Sequence, residues 1–207
     1  MKMDTVTEVK RAGGVATVKL ESGETLKVPS ALFLERRLRA GQRIDAEGYR
    51  QFIREKGYPH ALKAAVDYLA LRERSEKEIV TRLKRVHYHE MTIAKVMETL
   101  AGHRLYSDER FAENWVAHRA RKYGRRRIAM ELKQKGVDGP AARQALEGLE
   151  REDEMAACVK QAEKMAHRAK GDRNKLIQAL VRRGYDWQMA KAAACRAMDT
   201  EEEDAWE

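Results

Sequence analysis

Hydrophobic and polar positions alternate with a period of two near the start of the chain. The apolar members of this pattern are Ala16, Val18, Leu20, Leu26 and Val28. The pairs Gly13–Gly14 and Ser22–Gly23 separate the alternating runs. Alternation is typical of strands with one buried face, and glycine-containing pairs favour hairpin turns. The pattern therefore predicts a small three-stranded meander.

Two short helices are predicted after this meander. Pro29–Ser30 favours the start of the first helix, and Gly41 favours its end. Asp45 can cap a second helix, which we expect to end before Gly57. Residues 1–58 are accordingly predicted to form an accessory N-terminal extension of strands and helices.

From Pro59 onward the apolar spacing changes to about 3.6 residues, which is the period of a helix with one buried face. The apolar pattern also repeats at intervals of 48 or 49 residues. The pair Ile79 and Leu83 recurs as Ile128 and Leu132 and again as Leu176 and Leu180. Three further apolar positions follow each leucine: Ile93, Val96 and Leu100; Ala142, Ala145 and Leu149; Ala190, Ala193 and Ala197. Ser75, Gly124 and Asp172 precede the three leucines by eight residues, and each suits a helix start.

This recurrence predicts a mainly α protein built from tandem three-helix repeats of the helix-turn-helix kind. The expected repeats are 59–106, 107–150 and 151–198, and such arrays tend to be elongated. A coincidental match of Leu and Ala spacing is the alternative. Residues 199–207 form an acidic tail, which is either a solvated end or a segment that folds back over basic residues.

The charge distribution indicates an anionic partner. The formal net charge is +9, and the last nine residues carry six acidic and no basic side chains, so the remainder carries +15. A body this basic attracts polyanions, of which nucleic acid is the first candidate and a negatively charged protein groove the second.

Basic residues are densest around the start of the central helix in the second repeat. They are Arg119, Arg121, Lys122, Arg125, Arg126, Arg127, Lys133 and Lys135. Cations in a first helical turn oppose the positive end of the helix dipole, so an anion held by Arg125–Arg127 would resolve the conflict. An ordinary solvated charge run is the alternative. If the anion site exists, replacing Arg125, Arg126 and Arg127 with Ala should weaken binding without changing the circular dichroism.

Equivalent helix starts in the other repeats are also basic. The first repeat contributes Arg72, Arg74, Lys77, Arg82, Lys84 and Arg85. The third contributes Arg168, Lys170, Arg173, Lys175, Arg182 and Arg183. Basic helix starts at regular intervals favour a long polyanion over a single small pocket.

The sequence offers little support for catalysis, a metal or a cofactor. No glycine-rich phosphate loop, GxSxG or HExxH motif is present, and the spacing of His87, His89 and His103 does not favour a metal site. Cys158 and Cys195 are expected to be buried. Since there is no long apolar run and no signal-peptide pattern, we expect a cytoplasmic protein without membrane contact.

Aromatic side chains are weaker candidates for binding. Phe111 and Trp115 lie four residues apart on one helix face, which favours core packing over stacking on nucleobases. Trp187 follows a candidate helix cap and leaves both interpretations open.

Specific motifs resemble the RecX family of regulatory proteins. Residues 72–83 match the pattern R-x-R-S-x-x-E-[LI]-x-x-x-L, and residues 108–112 resemble the family's D-x-R-F-A segment. The matching positions that follow in the expected order are Arg119, Gly124, Ile128, Glu131, Leu132, Lys135, Gly136 and Val137. The resemblance covers 60–198, and the N-terminal strands resemble an extension of longer family members.

The resemblance implies tandem three-helix repeats that lie in the groove of a RecA filament on single-stranded DNA. Because no catalytic motif is present and the repeats can bury their faces against each other, we expect a non-enzymatic monomer. The resemblance also implies inhibition of strand exchange and ATP hydrolysis, with a role in recombination, DNA repair and the SOS response. From charge alone, we expect the contacts, which can extend to duplex DNA, to come from the basic helix starts of repeats 1 and 2. The alternative is a helix-turn-helix DNA-binding regulator that acts on duplex DNA without a recombinase.

Overall fold

A computed structural model describes the backbone of residues 3–169 and 171–204, and the side chains of 3–169 and 171–198. The strands are Met3–Ala12 (β1), Val15–Leu20 (β2), Thr25–Pro29 (β3) and Arg43–Asp45 (β4). The helices are Ser30–Glu35 (α1), Ala46–Leu69 (α2), Glu76–Arg85 (α3), Glu90–Gly102 (α4), Asp108–Arg119 (α5), Arg125–Gln134 (α6), Gly139–Glu147 (α7), Arg151–Ala169 (α8), Arg173–Arg182 (α9) and Trp187–Asp204 (α10). The chain divides into two compact units, Met1–Ser107 and Asp108–Glu207.

The first unit contains one antiparallel sheet in the order β3-β2-β1-β4. The predicted three-stranded meander is confirmed, with Ala16, Val18 and Val28 completely buried on one face. The sequence pattern did not predict β4, whose three residues pair with Met3–Thr5 of β1. A strand this short is below the length at which alternation is recognisable.

The helix break expected at Gly57 and Pro59 is wrong, because α2 runs through both residues. Proline in a helix interior costs about 3 kcal/mol, so the packing of α2 must compensate for it. Ala61 is completely buried, and Tyr58 shares a hydrogen bond of 2.9 Å with Thr99 on α4. Tertiary contacts with α4 therefore override the local helix-ending signals.

The predicted recurrence is confirmed in the three central helices α3, α6 and α9, each ten residues long. Their paired apolar residues are almost completely buried: Ile79, Leu83, Ile128, Leu132, Leu176 and Leu180. The matching nine aliphatic side chains are also buried: eight lie on the third helices α4, α7 and α10, and Leu149 lies just after α7. Each repeat thus consists of one leading helix, a central helix and a third helix that pack around the same apolar positions.

The three central helices also end in the same way. The residue at the turn has a positive φ each time: 64° at His87, 83° at Gly136 and 93° at Gly184. The amide of the next residue donates to the carbonyl of the recurring leucine of the same repeat. The distances are 3.3 Å from Tyr88 to Leu83, 2.9 Å from Val137 to Leu132 and 3.4 Å from Tyr185 to Leu180. This is the hydrogen bond of a Schellman ending, and it places the buried residue that follows it.

The remaining predictions have separate outcomes. Cys158 is buried as predicted, whereas Cys195 is half-buried. No helix in the described part of the chain is long and apolar enough to cross a membrane. The side chains of the predicted acidic tail lie outside the described residues, while the backbone of α10 continues to Asp204.

Candidate nucleic-acid interface

The backbone at the start of α6 is hydrogen-bonded to the backbone at the end of α9 in the second unit. The amide of Gly124 donates to the carbonyl of Arg183 at 3.0 Å, and the amide of Arg126 donates to the carbonyl of Gly184 at 3.2 Å. These carbonyls lie at the end of α9, where the helix dipole is negative. The negative end of α9 therefore meets the positive end of α6 and satisfies two of its exposed donors.

A carboxylate from α8 satisfies a third donor at this helix start. Glu154, only 7% exposed, accepts a hydrogen bond of 2.7 Å from the amide of Arg125. The same carboxylate lies 3.6 Å from the guanidinium of Arg125, which also donates to the carbonyl of Leu149. Glu154 thus acts as a long-range cap for α6.

This arrangement changes the meaning of the basic run Arg125–Arg127. A carboxylate of the same chain, that of Glu154, lies at the helix start where an anion was expected. The sequence pattern did not identify Glu154, because it lies 29 residues from Arg125 and no local motif connects the two positions. The proposed triple alanine variant would therefore remove structural contacts as well as surface charge.

A second carboxylate, Glu131, gathers several side chains on the surface of the second repeat. It accepts two hydrogen bonds from Arg119, at 2.7 and 2.5 Å, and one each from Trp115 at 3.2 Å and Arg127 at 3.3 Å. Partial burial alone would raise the pKa of the Glu131 carboxyl, but these donors hold that pKa below its usual value. Arg119 and Arg127 also lie over the ring of Tyr123, at 4.2 and 4.1 Å from its centre.

The first repeat contains its own internally paired cations. Arg72 forms a bidentate pair with Glu78 at 3.1 and 3.2 Å. Arg74 lies 3.9 Å from the ring centre of Tyr68, while Lys84 is 3.5 Å from Glu90. Arg72 and Arg74 thereby help to connect α2 with α3.

The predicted contact residues consequently separate into two groups. Arg72, Arg74, Arg119, Arg125 and Arg127 make the internal contacts described above, and Lys135 lies 5.1 Å from the ring centre of Trp115. The members of the second group are exposed to solvent, and Lys84 among them also lies near Glu90: Arg82, Lys84, Arg85, Arg121, Lys122, Arg126 and Lys133. We call this second group the exposed cations.

The aromatic candidates also differ in exposure. Phe111 is 2% exposed, and its ring stacks on Trp115 with 5.6 Å between centres, which agrees with the predicted core packing. Trp187 is 57% exposed, and the ammonium of Lys191 lies 5.3 Å from its ring centre. Trp187 is therefore accessible for a contact with a partner.

The described side chains give no site for metal chemistry. No group of three or more His, Cys, Asp or Glu residues in 3–169 and 171–198 is placed to hold a metal ion. Burial raises the pKa of the Cys158 thiol to about 12, so this residue is a poor nucleophile near neutral pH.

Comparison with known proteins identifies the first and second three-helix repeats. Residues 61–100 match the model of the RecX first three-helix domain, and residues 107–146 match that of the RecX second three-helix domain. The regulatory protein RecX of Prosthecochloris aestuarii is 40% identical over 62% of this chain and 87% of its own length. The regulatory protein RecX of Clostridium perfringens strain 13 is 26% identical over 97% of this chain and 98% of its own length.

Solved structures show the same fold. A crystal structure of regulatory protein RecX aligns with a TM-score of 0.61, covering 90% of this chain and 96% of its own at 21% identity. RecX from Lactobacillus salivarius aligns with a TM-score of 0.59 and 26% identity, covering 68% of this chain and 96% of its own. The motifs, the repeated three-helix architecture and these matches agree, and the chain belongs to the RecX family of regulatory proteins.

Proposed function

We propose that this protein binds a RecA filament on single-stranded DNA in the cytoplasm and restrains its recombinase and ATPase activities. The observation that carries the proposal is family membership over nearly the full length of a RecX relative, 98% of the Clostridium perfringens protein. The mechanism is steric and electrostatic, with no covalent chemistry, and the protein acts as a monomer. The biological setting is recombination, DNA repair and the SOS response.

The exposed cations supply the contact surface in this proposal. Arg82, Lys84 and Arg85 lie in the last turn of α3, where cations are favoured by the helix dipole. In the second repeat, Arg126 and Lys133 occupy opposite ends of α6. Since all these side chains are exposed, they can reach phosphates or carboxylates without disturbing the internal pairs made by Glu131 and Glu154.

The direct test measures the single-stranded-DNA-dependent ATPase rate of the cognate recombinase. We expect suppression at well below one protein per recombinase subunit, beyond what competition for DNA alone produces. Binding of the protein alone to single-stranded and duplex DNA at matched salt separates these effects, because phosphate-dominated binding depends steeply on salt.

A charge-matched pair of variants tests the contact surface. The first variant replaces four of the exposed cations, Arg82, Arg85, Arg126 and Lys133, with Ala. The control replaces four basic residues outside that group whose side chains are also accessible to solvent: Arg11, Lys27, Arg37 and Arg39. We expect the first variant to lose most of the suppression and the control to retain it. Equal loss in both would show that overall charge alone determines binding.

A different result would favour the alternative function. An unchanged ATPase rate, together with tight and sequence-selective binding to duplex DNA, would make the protein a helix-turn-helix regulator that acts without a recombinase. Neither result depends on an enzymatic activity of the chain itself.

A further inference from the structure

An open cavity of about 480 Å³ lies beside α8 and α9 in the second unit. Ligand cavities in proteins usually measure about 300 to 1,000 Å³, so this one has the size of a small organic ligand. The predicted contact surface in repeats 1 and 2 includes only one residue of its lining, Arg127. The cavity is therefore a separate feature of the third repeat.

Cations dominate the charged lining of this cavity. They are Arg127, Arg168, Lys175, Arg182 and Arg183, and no described lining residue is acidic. Three of them have contacts elsewhere: Arg127 with Glu131 at 3.3 Å, Lys175 with Asp172 at 3.0 Å and Arg183 with Gln161 at 2.8 Å.

The other two cations are available to a ligand. Arg168 and Arg182 are exposed, and no ion pair joins either of them to a described residue. Guanidinium groups bind phosphate oxygens through paired, charge-assisted hydrogen bonds. Two guanidinium groups on neighbouring helices at one cavity therefore form a suitable phosphate contact.

The rest of the lining is apolar. Met165 and Ala169 contribute from α8, and Leu176 and Ala179 from α9. Leu176 is 1% exposed, so it belongs to the fixed core beneath the cavity. An inorganic anion would use only the cations, whereas a nucleotide can place its base or sugar against the apolar side chains and its phosphate against the guanidinium groups.

We propose that this cavity is a nucleotide-binding site that holds one nucleotide unit, with its phosphate on Arg168 and Arg182. The same chemistry is presented by one residue of a single strand and by a free nucleotide, so the test includes both. The inference does not rest on the proposed action on a recombinase, because binding is measured with the full chain alone.

The test compares two variants with equal net charge. Arg168→Gln with Arg182→Gln removes the two available cavity cations. Arg143→Gln with Lys160→Gln removes two exposed cations that do not line the cavity. The probes are a fluorescein-labelled twelve-residue oligothymidylate followed by anisotropy, and magnesium-free ATP and inorganic triphosphate followed by calorimetry. Circular dichroism confirms that both variants remain folded.

We expect the variant that lacks Arg168 and Arg182 to bind the oligothymidylate or ATP about tenfold more weakly. The affinity of the control variant should change by less than about twofold. For the oligonucleotide, the cavity variant should also lower the salt slope by about 0.7, since the site holds one phosphate and each neutralised phosphate of single-stranded DNA contributes about 0.7. A selective loss for the oligonucleotide alone identifies a strand as the source, and a selective loss for ATP identifies a free nucleotide. Both outcomes support the site.

Three outcomes would overturn it. Equal weakening in the two variants would show that general charge attraction explains binding. Inorganic triphosphate binding as tightly as ATP would remove the role of the apolar lining. Displacement of both nucleotide probes by polyglutamate at equal charge concentration would identify the cavity as an acceptor of acidic peptides.

Discussion

The central helices of the first two repeats have the same length and the same buried residues, but they begin with opposite charges. Helix α3 carries Glu76 and Glu78 in its first turn, and the side chain of Ser75 accepts a hydrogen bond from the Glu78 amide. Helix α6 has no acidic residue in its first turn and no side-chain cap at Gly124. One helix start is stabilised locally, while the other depends on residues that are distant in sequence.

The difference shows that the start of the central helix can be stabilised in two ways: by neighbouring residues or by residues distant in sequence. Ser75 and its neighbouring acids satisfy the free amides and the dipole of α3 within a few residues. At α6 the absence of a side chain on Gly124 lets the backbone of Gly184 approach, and Glu154 supplies the missing negative charge. The basic run of α6 therefore joins the second and third repeats, and only Arg126 remains exposed there.

The largest expected effect follows from the close backbone approach at Gly124. A methyl group at this position would lie 2.4 Å from the backbone nitrogen of Tyr185 and 2.5 Å from the carbonyl oxygen of Gly184. Because backbone atoms cannot rotate away, we expect Gly124→Ala to lower the free energy of unfolding by about 3 kcal/mol. Urea denaturation monitored by circular dichroism measures this change.

Gly148→Ala is the matched control in the same unit. Its added methyl group would meet only carbonyl oxygens, 3.6 Å away or more, and the φ of −67° suits any residue. We expect a change below about 0.5 kcal/mol. Equal effects at the two glycines would contradict the close approach at the α6 start.

Removal of the long-range cap should produce the next largest effect. Glu154→Ala leaves the Arg125 amide without its 2.7 Å acceptor and removes the carboxylate beside the Arg125 guanidinium. We expect a loss of about 2 kcal/mol, which is typical of hydrogen bonds that involve a charged group. The measurement is again urea denaturation, with the exposed neighbour Glu152→Ala as control. If both variants lose the same stability, Glu154 is not the cap of α6.

The contrast between these helix starts explains which parts of the structure the sequence could predict. The meander and the Ser75 cap depend on patterns within a few residues, and the repeat is visible because similar apolar patterns recur along the chain. All three are present in the structure. The continuity of α2 through Pro59 depends on contacts with α4, so local signals gave the wrong helix end.

For the candidate site, the sequence predicted which basic residues are present but not which of them form internal contacts. The sequence identified the cations, but it could not distinguish Arg126, which is exposed, from Arg125, which is held by Glu154. Arg119 and Glu131 both belong to the RecX-like motif, but nothing in the sequence indicates that their side chains pair. Charge density therefore predicted where the basic surface lies without predicting which of its residues are structural.

A smaller effect is expected from the local cap of the first repeat. Ser75→Ala removes the acceptor that lies 3.2 Å from the Glu78 amide, and loss of a serine cap typically costs about 1 kcal/mol. Ser75→Asp retains a side-chain acceptor for the Glu78 amide and should recover part of this loss. Thermal unfolding of the two variants measures the difference. A loss as large as that of Glu154→Ala would remove the distinction between the local and the distant cap.

The smallest effect concerns the one turn at which the first repeat departs from the other two. His87 has a φ of 64°, at the place where Gly136 and Gly184 have values of 83° and 93°. A side chain in the left-handed region costs about 1 kcal/mol. Glycine avoids this steric cost, but its more flexible unfolded state loses more entropy on folding, so only part of the cost is recovered. We therefore expect His87→Gly to raise the free energy of unfolding by about 0.5 kcal/mol, and Gly136→His to lower it by about 1 kcal/mol. If His87→Gly instead destabilises the protein, the exposed histidine makes a compensating contact in the first repeat, and the equivalence of the three turns extends to their backbone only.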